Sequence, residues 1–256
     1  MEKTEMKKVY ARPSALLPMN SGYCPGCMHS GIAKVIGRVL DDLQQTDNTL
    51  LVLPVGCSTM ATLYFRLDMV VAAHGRAPAV ATGVKRCAPD QLCFTYQGDG
   101  DLAAIGLAEI LSAANRGEHF TVIFVNNSIY GMTGGQMAPT TLVGQKTTTS
   151  IYGRDPGDMG YPLHMCELIS QLSAPYYIER VAMDSPLHVR QAEKAIKHAF
   201  EIQLEGKGFS FVEILSTCPT NWGLSPQDSI KYITTTTSKE FPLGVFRDKS
   251  KEKVES

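Results

Sequence analysis

The chain lacks several features that would each have pointed to a class of function. It has no excess of charge of either sign, since 24 Lys and Arg stand against 25 Asp and Glu in 256 residues, a formal net charge of −1. That balance argues against nucleic acid or anionic membrane as the main partner, because both are gripped through a strong positive field. No window approaches the roughly 20 apolar residues that span a bilayer. The opening stretch MEKTEMKKVYARPS is charged where a secretory signal would be apolar. A cytoplasmic location without membrane contact is expected. Internal repeats and clear linkers are also missing. Small molecules and other proteins remain as partners.

What the chain does have is seven cysteines. In a reducing compartment they argue against a disulfide framework and leave metal ligands, reactive thiols or small buried hydrophobes. Cys93, within a strand-like run, and Cys166, within a helical one, read as buried hydrophobes, and Cys87 is placed with them. Cys24 and Cys27, in NSGYCPGCMHSG, form a Cys-x-x-Cys. A redox dithiol, half a zinc site and part of an iron–sulfur site all use that spacing.

Strand-like runs alternate with helical ones. Residues 28–45 space Ile32, Val35, Ile36, Val39, Leu40 and Leu43 at helical intervals. Strands are expected in NTLLVLP, QLCFTYQ (91–97), TVIFV (121–125), YYIERVA (176–182) and FSFVEIL (209–215), and further helices over 101–117, 163–172 and 185–206. The alternation predicts an α/β fold, a doubly wound, mostly parallel sheet with helices on both faces, as one domain over 1–256. An arm of about 1–12 and a tail of about 240–256 are expected to be flexible, and the threonine runs 147–150 and 234–237 to be loop. The irregular stretch 126–162 is long enough to suggest function.

QLCFTYQGDGD runs a strand straight into Gly98, Asp99, Gly100 and Asp101 at a helix start, where backbone N–H groups can meet a phosphate. Two carboxylates there make sense with a divalent cation between them and the phosphate, since Mg²⁺ prefers hard oxygens. After the next strand come Asn126 and Asn127, with 25 residues between Gly100 and Asn126. In a parallel sheet both turns fall at the carboxyl ends of strands, where ligands bind. Gly-Asp-Gly followed at this distance by Asn-Asn resembles the signature of thiamine diphosphate enzymes. The resemblance implies Mg²⁺ held by Asp99, the Asn127 side chain and the Ile129 carbonyl.

Cys57 and Cys218 follow the carboxyl ends of two expected strands and so share that rim, and Cys24 and Cys27 can join them. Four thiolates suit zinc or an iron–sulfur cluster equally by spacing. From CPGC through GCS, HGRAPAVATGVK, GDGD and NNSIYGMTGGQMAPTT to CPTNWG, the chain resembles the β subunit of the 2-oxoacid:ferredoxin oxidoreductases over about residues 20–225. That resemblance implies a 4Fe–4S cluster on Cys24, Cys27, Cys57 and Cys218, because thiamine enzymes that oxidise 2-oxoacids need a nearby electron acceptor and zinc offers no redox chemistry. It places His74 beside the thiazolium and substrate as the catalytic candidate. Gly131, Met132 and Thr133 would face the diphosphate, and Gly56 and Ser58 the cofactor. It further implies coenzyme A and ferredoxin as co-substrates, and an α subunit supplying the pyrimidine-binding domain and the activating glutamate. Small γ and ferredoxin-like δ subunits are also implied. Some relatives carry lysine where this chain has Gly134, which tilts the substrate toward an apolar branched-chain 2-oxoacid and away from 2-oxoglutarate. The alternatives are a non-oxidative thiamine decarboxylase or synthase, an electron-transfer subunit without catalysis, and a zinc-stapled scaffold.

Overall fold

Seven strands form one sheet in the computed structural model, which describes residues 10–251. They are β1 (Thr49–Leu53), β2 (Asp68–Val71), β3 (Leu92–Gly98), β4 (Thr121–Asn126), β5 (Tyr177–Ala182), β6 (Ser210–Leu215) and β7 (Gly244–Asp248). The order across the sheet is β2-β1-β3-β4-β6-β5-β7, parallel throughout except that β7 runs antiparallel to β5. Every residue of β4 and β6 is buried, as expected of strands covered on both faces.

The helices are α1 (His29–Asp42), α2 (Ala77–Cys87), α3 (Leu107–Arg116), α4 (Pro156–Met159), α5 (Met165–Ser170), α6 (Pro186–Leu204), α7 (Pro219–Trp222), α8 (Pro226–Tyr232) and α9 (Ser238–Glu240). On one face Ile32, Ile36 and Leu40 of α1 pack with Ala195, Ala199 and Phe200 of α6 over Phe94 and Val212. On the other, Ala81 of α2, Ile110 and Ala113 of α3 and Ile169 of α5 cover Val122 and Phe211. The expected doubly wound α/β architecture is present. The chain leaves β1 toward β2 on one side and β3 toward β4 on the other, so the crevice opens beyond the carboxyl ends of β1 and β3. No helix among the described residues is long and apolar enough to cross a membrane.

Some local expectations are corrected. The tail was expected to be flexible from about 240, yet Gly244–Asp248 is an edge strand whose Arg247 donates to the Ser170 carbonyl at 2.7 Å. Residues 252–256 lie outside the described part, as do residues 1–9 of the expected arm. The run 234–237 is not loop but part of a wide helical turn, Ile233–Thr237, between α8 and α9. Cys93 and Cys166 are buried as expected, whereas Cys87 is exposed at the end of α2. The irregular stretch 126–162 contains only α4, and Arg154 organises it by donating to the carbonyls of Pro139, Thr141, Met159, Gly160 and Tyr161. A buried guanidinium with five donors suits a loop whose carbonyls have no ladder to join.

Candidate cofactor site

β3 ends at Gly98, and Asp99 turns the chain into the wide helical turn Gly100–Ile105. The Asp99 carboxylate is 2% exposed, so its position is set by what it accepts. Its Oδ1 takes the Gly100 N–H at 2.8 Å, and Oδ2 takes the Thr140 hydroxyl at 2.6 Å and the Ile129 N–H at 3.2 Å. Burial pushes its pKa up to about 6, with these donors opposing the shift. β4 ends at Asn126, and Ser128 just beyond adopts a left-handed conformation, φ 59°. Asn126 holds that turn by accepting the Ser128 N–H at 3.1 Å while donating to Glu213 at 2.8 Å. Glu213 pairs with Arg180 at 2.9 Å, both fully buried and directly opposite each other on β6 and β5. Arg180 continues to Glu167. A buried ion network thus braces the turn that presents Asn127 and Ile129.

Three oxygens converge at that turn. The Asn127 side-chain oxygen faces the Ile129 carbonyl at 2.7 Å and Asp99 Oδ1 at 3.3 Å, where its NH₂ would donate to both were the amide turned over. Acceptors gathered this way repel unless the amide turns its NH₂ toward them or a cation joins them. Octahedral Mg²⁺, with oxygens at about 2.0–2.1 Å, sets neighbouring ligands about 3 Å apart, close to the spacings here. The donor set fits the metal. Asp101 does something different from what was expected of it. Its carboxylate accepts from His74 Nδ1, from the Gly75 N–H at 2.6 Å and from Gln97 at 2.7 Å, so it orients the histidine and is not a partner of Asp99 on one cation.

A single cleft is lined by Gly56, Cys57, Ser58, His74, Gly98, Asp99, Gly100, Asp101, Asn127, Ile129, Gly131, Met132 and Thr133. Every residue expected to meet the cofactor is therefore in one place. The Ser58 hydroxyl is buried there without a partner, as a donor reserved for a ligand would be. Three lining residues were not foreseen: Val55, Tyr130 and His29. His29 lies two positions past Cys27, its Nδ1 against the Tyr96 hydroxyl, and burial lowers its pKa to about 4, keeping the ring neutral. Its place in CPGCMHSG was the signal available.

The thiols approach the same cleft. A Cβ placed on Gly131 would sit 3.1 Å from the Cys57 sulfur and 3.7 Å from that of Cys218, so only glycine leaves room between them. The Cys24–Cys27 loop closes on itself through Cys27 N–H to the Cys24 carbonyl, 3.0 Å, and is tied to the Cys218 segment by the Thr217 hydroxyl on the Gly26 carbonyl, 2.6 Å. Burial raises the Cys27 pKa to about 12 and the Cys57 pKa to about 11, and the other cysteines add to both shifts. Cys27, Cys57 and Cys218, partly buried and without a cation beside them, resist ionising. Bound iron reverses that logic, because it takes thiolates outright, so the donor set fits an iron–sulfur cluster in its chemistry. Among the described residues, no three His, Cys, Asp or Glu side chains are already gathered as a finished ligand set.

Residues 54–214 match the family described as thiamine pyrophosphate enzyme, C-terminal TPP binding domain. A 2-oxoglutarate synthase subunit, KorB of Archaeoglobus fulgidus, is 36% identical over 89% of this chain and 81% of its own length. The chain belongs to the thiamine pyrophosphate-binding, β-type subunits of the 2-oxoacid:ferredoxin oxidoreductase family. Another member, the ketoisovalerate oxidoreductase subunit VorA of Methanothermobacter thermautotrophicus, is 51% identical over 95% of this chain. The chain spans about half the length of that relative, 51%. A solved 2-oxoglutarate:ferredoxin oxidoreductase from Magnetococcus marinus, with 2-oxoglutarate, coenzyme A and succinyl-CoA bound, shares the fold. Its TM-score is 0.77, with 23% identity over 94% of this chain and 86% of that one.

Proposed function

We propose that this chain is the β-type subunit of a 2-oxoacid:ferredoxin oxidoreductase, which converts a 2-oxoacid and coenzyme A to acyl-CoA and CO₂ and delivers the electrons to ferredoxin. The observation that carries the reading is the shared rim: the three-oxygen cradle of Asp99, Asn127 and Ile129 and the thiols of Cys57 and Cys218 are separated by little more than Gly131. When bound, thiamine diphosphate supplies the nucleophilic carbon for the 2-oxo group, and a 4Fe–4S cluster supplies a one-electron acceptor.

The residues of the chain have distinct tasks. Asp99, Asn127 and the Ile129 carbonyl hold Mg²⁺ against the diphosphate, while Gly131, Thr133 and Ser58 offer it backbone and hydroxyl donors. His74 lines the cleft with Nδ1 held by Asp101, and its other nitrogen would hold or give a proton to the substrate. Cys24, Cys27, Cys57 and Cys218 are the cluster ligands. An α subunit completes the site with the pyrimidine-binding domain and the activating glutamate, a small γ subunit joins the complex, and a ferredoxin-like δ subunit carries the electrons onward.

Gly134 sits in open space at φ 107°, a conformation unfavourable to lysine, and leaves no cation for a second carboxylate. With the 51% identity to a ketoisovalerate oxidoreductase subunit, this favours a branched-chain 2-oxoacid over 2-oxoglutarate. The test is the anaerobic complex assayed against a panel of 2-oxoacids with coenzyme A and a low-potential dye, together with its iron, sulfide and thiamine content. A brown complex that reduces the dye most strongly with branched-chain 2-oxoacids is expected. A folded, fully metallated and colourless preparation refutes the proposal, and thiamine-independent electron transfer leaves only an electron carrier.

A further inference from the structure

The short helix α7, directly after Cys218, touches both halves of the site. The Asn221 carboxamide nitrogen donates to the Gly131 carbonyl at 2.8 Å and to the Cys218 sulfur at 3.3 Å. A planar NH₂ carries two hydrogens that point in different directions, so one group can serve both acceptors. Its oxygen edge packs against Gly135, where an added Cβ would lie 3.0 Å from Oδ1, so the amide has little freedom to swing away. The next residue, Trp222, donates its indole N–H to the Asn127 carbonyl at 3.1 Å. One helical turn therefore ties a cluster thiol to both ends of the loop that faces the diphosphate.

We propose that Asn221 is a positioning residue that couples the two cofactors: its amide stabilises the Cys218 sulfur in the reduced cluster and transmits occupancy of the thiamine site to it. This rests on the cofactor assignment above. An N–H donor to a cluster sulfur favours the more negative, reduced state and raises the potential. Because the other hydrogen is held by Gly131, any shift of that carbonyl on binding of Mg²⁺ and thiamine diphosphate would change the geometry at sulfur. Neither acceptor moves without the other sensing it.

The test uses the anaerobic complex, with the cluster titrated potentiometrically by EPR with and without saturating Mg²⁺ and thiamine diphosphate. The wild type is expected to show a midpoint that depends on thiamine diphosphate. Asn221→Ala should make reduction about tenfold less favourable, ~59 mV for one electron, and remove that dependence while iron content is kept. Asn221→Leu keeps the bulk against Gly135 with neither donors nor charge and should behave alike; it decides the matter if the alanine variant does not fold. Calorimetric titration of Mg²⁺ and thiamine diphosphate gives a readout separate from the potential: binding should be kept in the variants. A variant with both cofactors bound and an unchanged, still thiamine-dependent potential overturns the coupling alone. A wild-type complex without iron and sulfide, or one that does not bind thiamine diphosphate, overturns the assignment and the coupling with it.

Discussion

The oxygen cradle and the thiol group occupy the same rim but are built on opposite principles. The cradle grows out of two central strands, β3 and β4, and each of its members is fixed by buried partners: Asp99 by Thr140 and two N–H groups, the Asn127 turn by Asn126, Glu213 and Arg180. The cysteines come from three separate loops, from 24 to 218 in sequence, and range from exposed Cys24 to buried Cys218. On the proposed function the cradle would hold a hard cation with little rearrangement. The thiols, near one another but not gathered as a ligand set, would have to close around theirs.

That contrast is broken first by the largest effects. Asp99→Asn should lower Mg²⁺-dependent thiamine diphosphate affinity more than about 100-fold by calorimetry while leaving iron content intact, since a neutral amide cannot supply the carboxylate's charge to the cation. Cys57→Ser should do the reverse, with loss of iron and sulfide and less than about a threefold change in thiamine affinity. If either substitution abolishes both cofactors equally, the two regions are not independent units.

A smaller effect probes the brace beneath the cradle. Glu213→Gln leaves fully buried Arg180 without its charge partner on the neighbouring strand and should cost about 3–5 kcal/mol of stability, read as a lowered midpoint of urea unfolding. Because the single amide oxygen can serve only one of Arg180 and Asn126, thiamine affinity should fall several-fold, whereas iron content should not.

The smallest effect is one of pH. Burial would raise the Glu167 pKa, but hydrogen bonds from His164 and Arg180 hold it down at about 2. A carboxylate depressed in the folded state adds stability that is present above its unfolded value near 4.3 and is lost as pH falls from there through about 2. Glu167→Gln should flatten the acid limb of the stability curve in that window, measured by chemical denaturation at several pH values. An unchanged limb would remove Glu167 from the network.

The cradle was legible in the sequence because its chemistry is written in turn residues that directly follow apolar strands: GDGD after QLCFTYQ, NNS after TVIFV. Of the thiols, Cys57 and Cys218 were legible through their position at strand ends, whereas the set of four with Cys24 and Cys27 rested on the family resemblance. Other parts gave weaker signals. β2 is four residues at an exposed edge, and β7 hides its alternation in a charged tail, so neither shows the continuous apolar run that marks β4. Asp101 looked like a second cation ligand because sequence shows adjacency but not direction; its carboxylate turns to His74. Arg180 in YYIERVA and Glu213 in FSFVEIL were charges inside apolar strands, an anomaly that their cross-strand pairing explains. Asn221 and Trp222 were visible in CPTNWG but carried no meaning until the fold brought residue 131 beside residue 218.

The most direct measurement of the central claim is rapid mixing of the oxidised, anaerobic complex with a branched-chain 2-oxoacid in the absence of coenzyme A, followed by freeze-quench EPR. A reduced-cluster signal that forms with the release of CO₂ and only when Mg²⁺ and thiamine diphosphate are present is the predicted result. Release of CO₂ with the cluster remaining oxidised would contradict it.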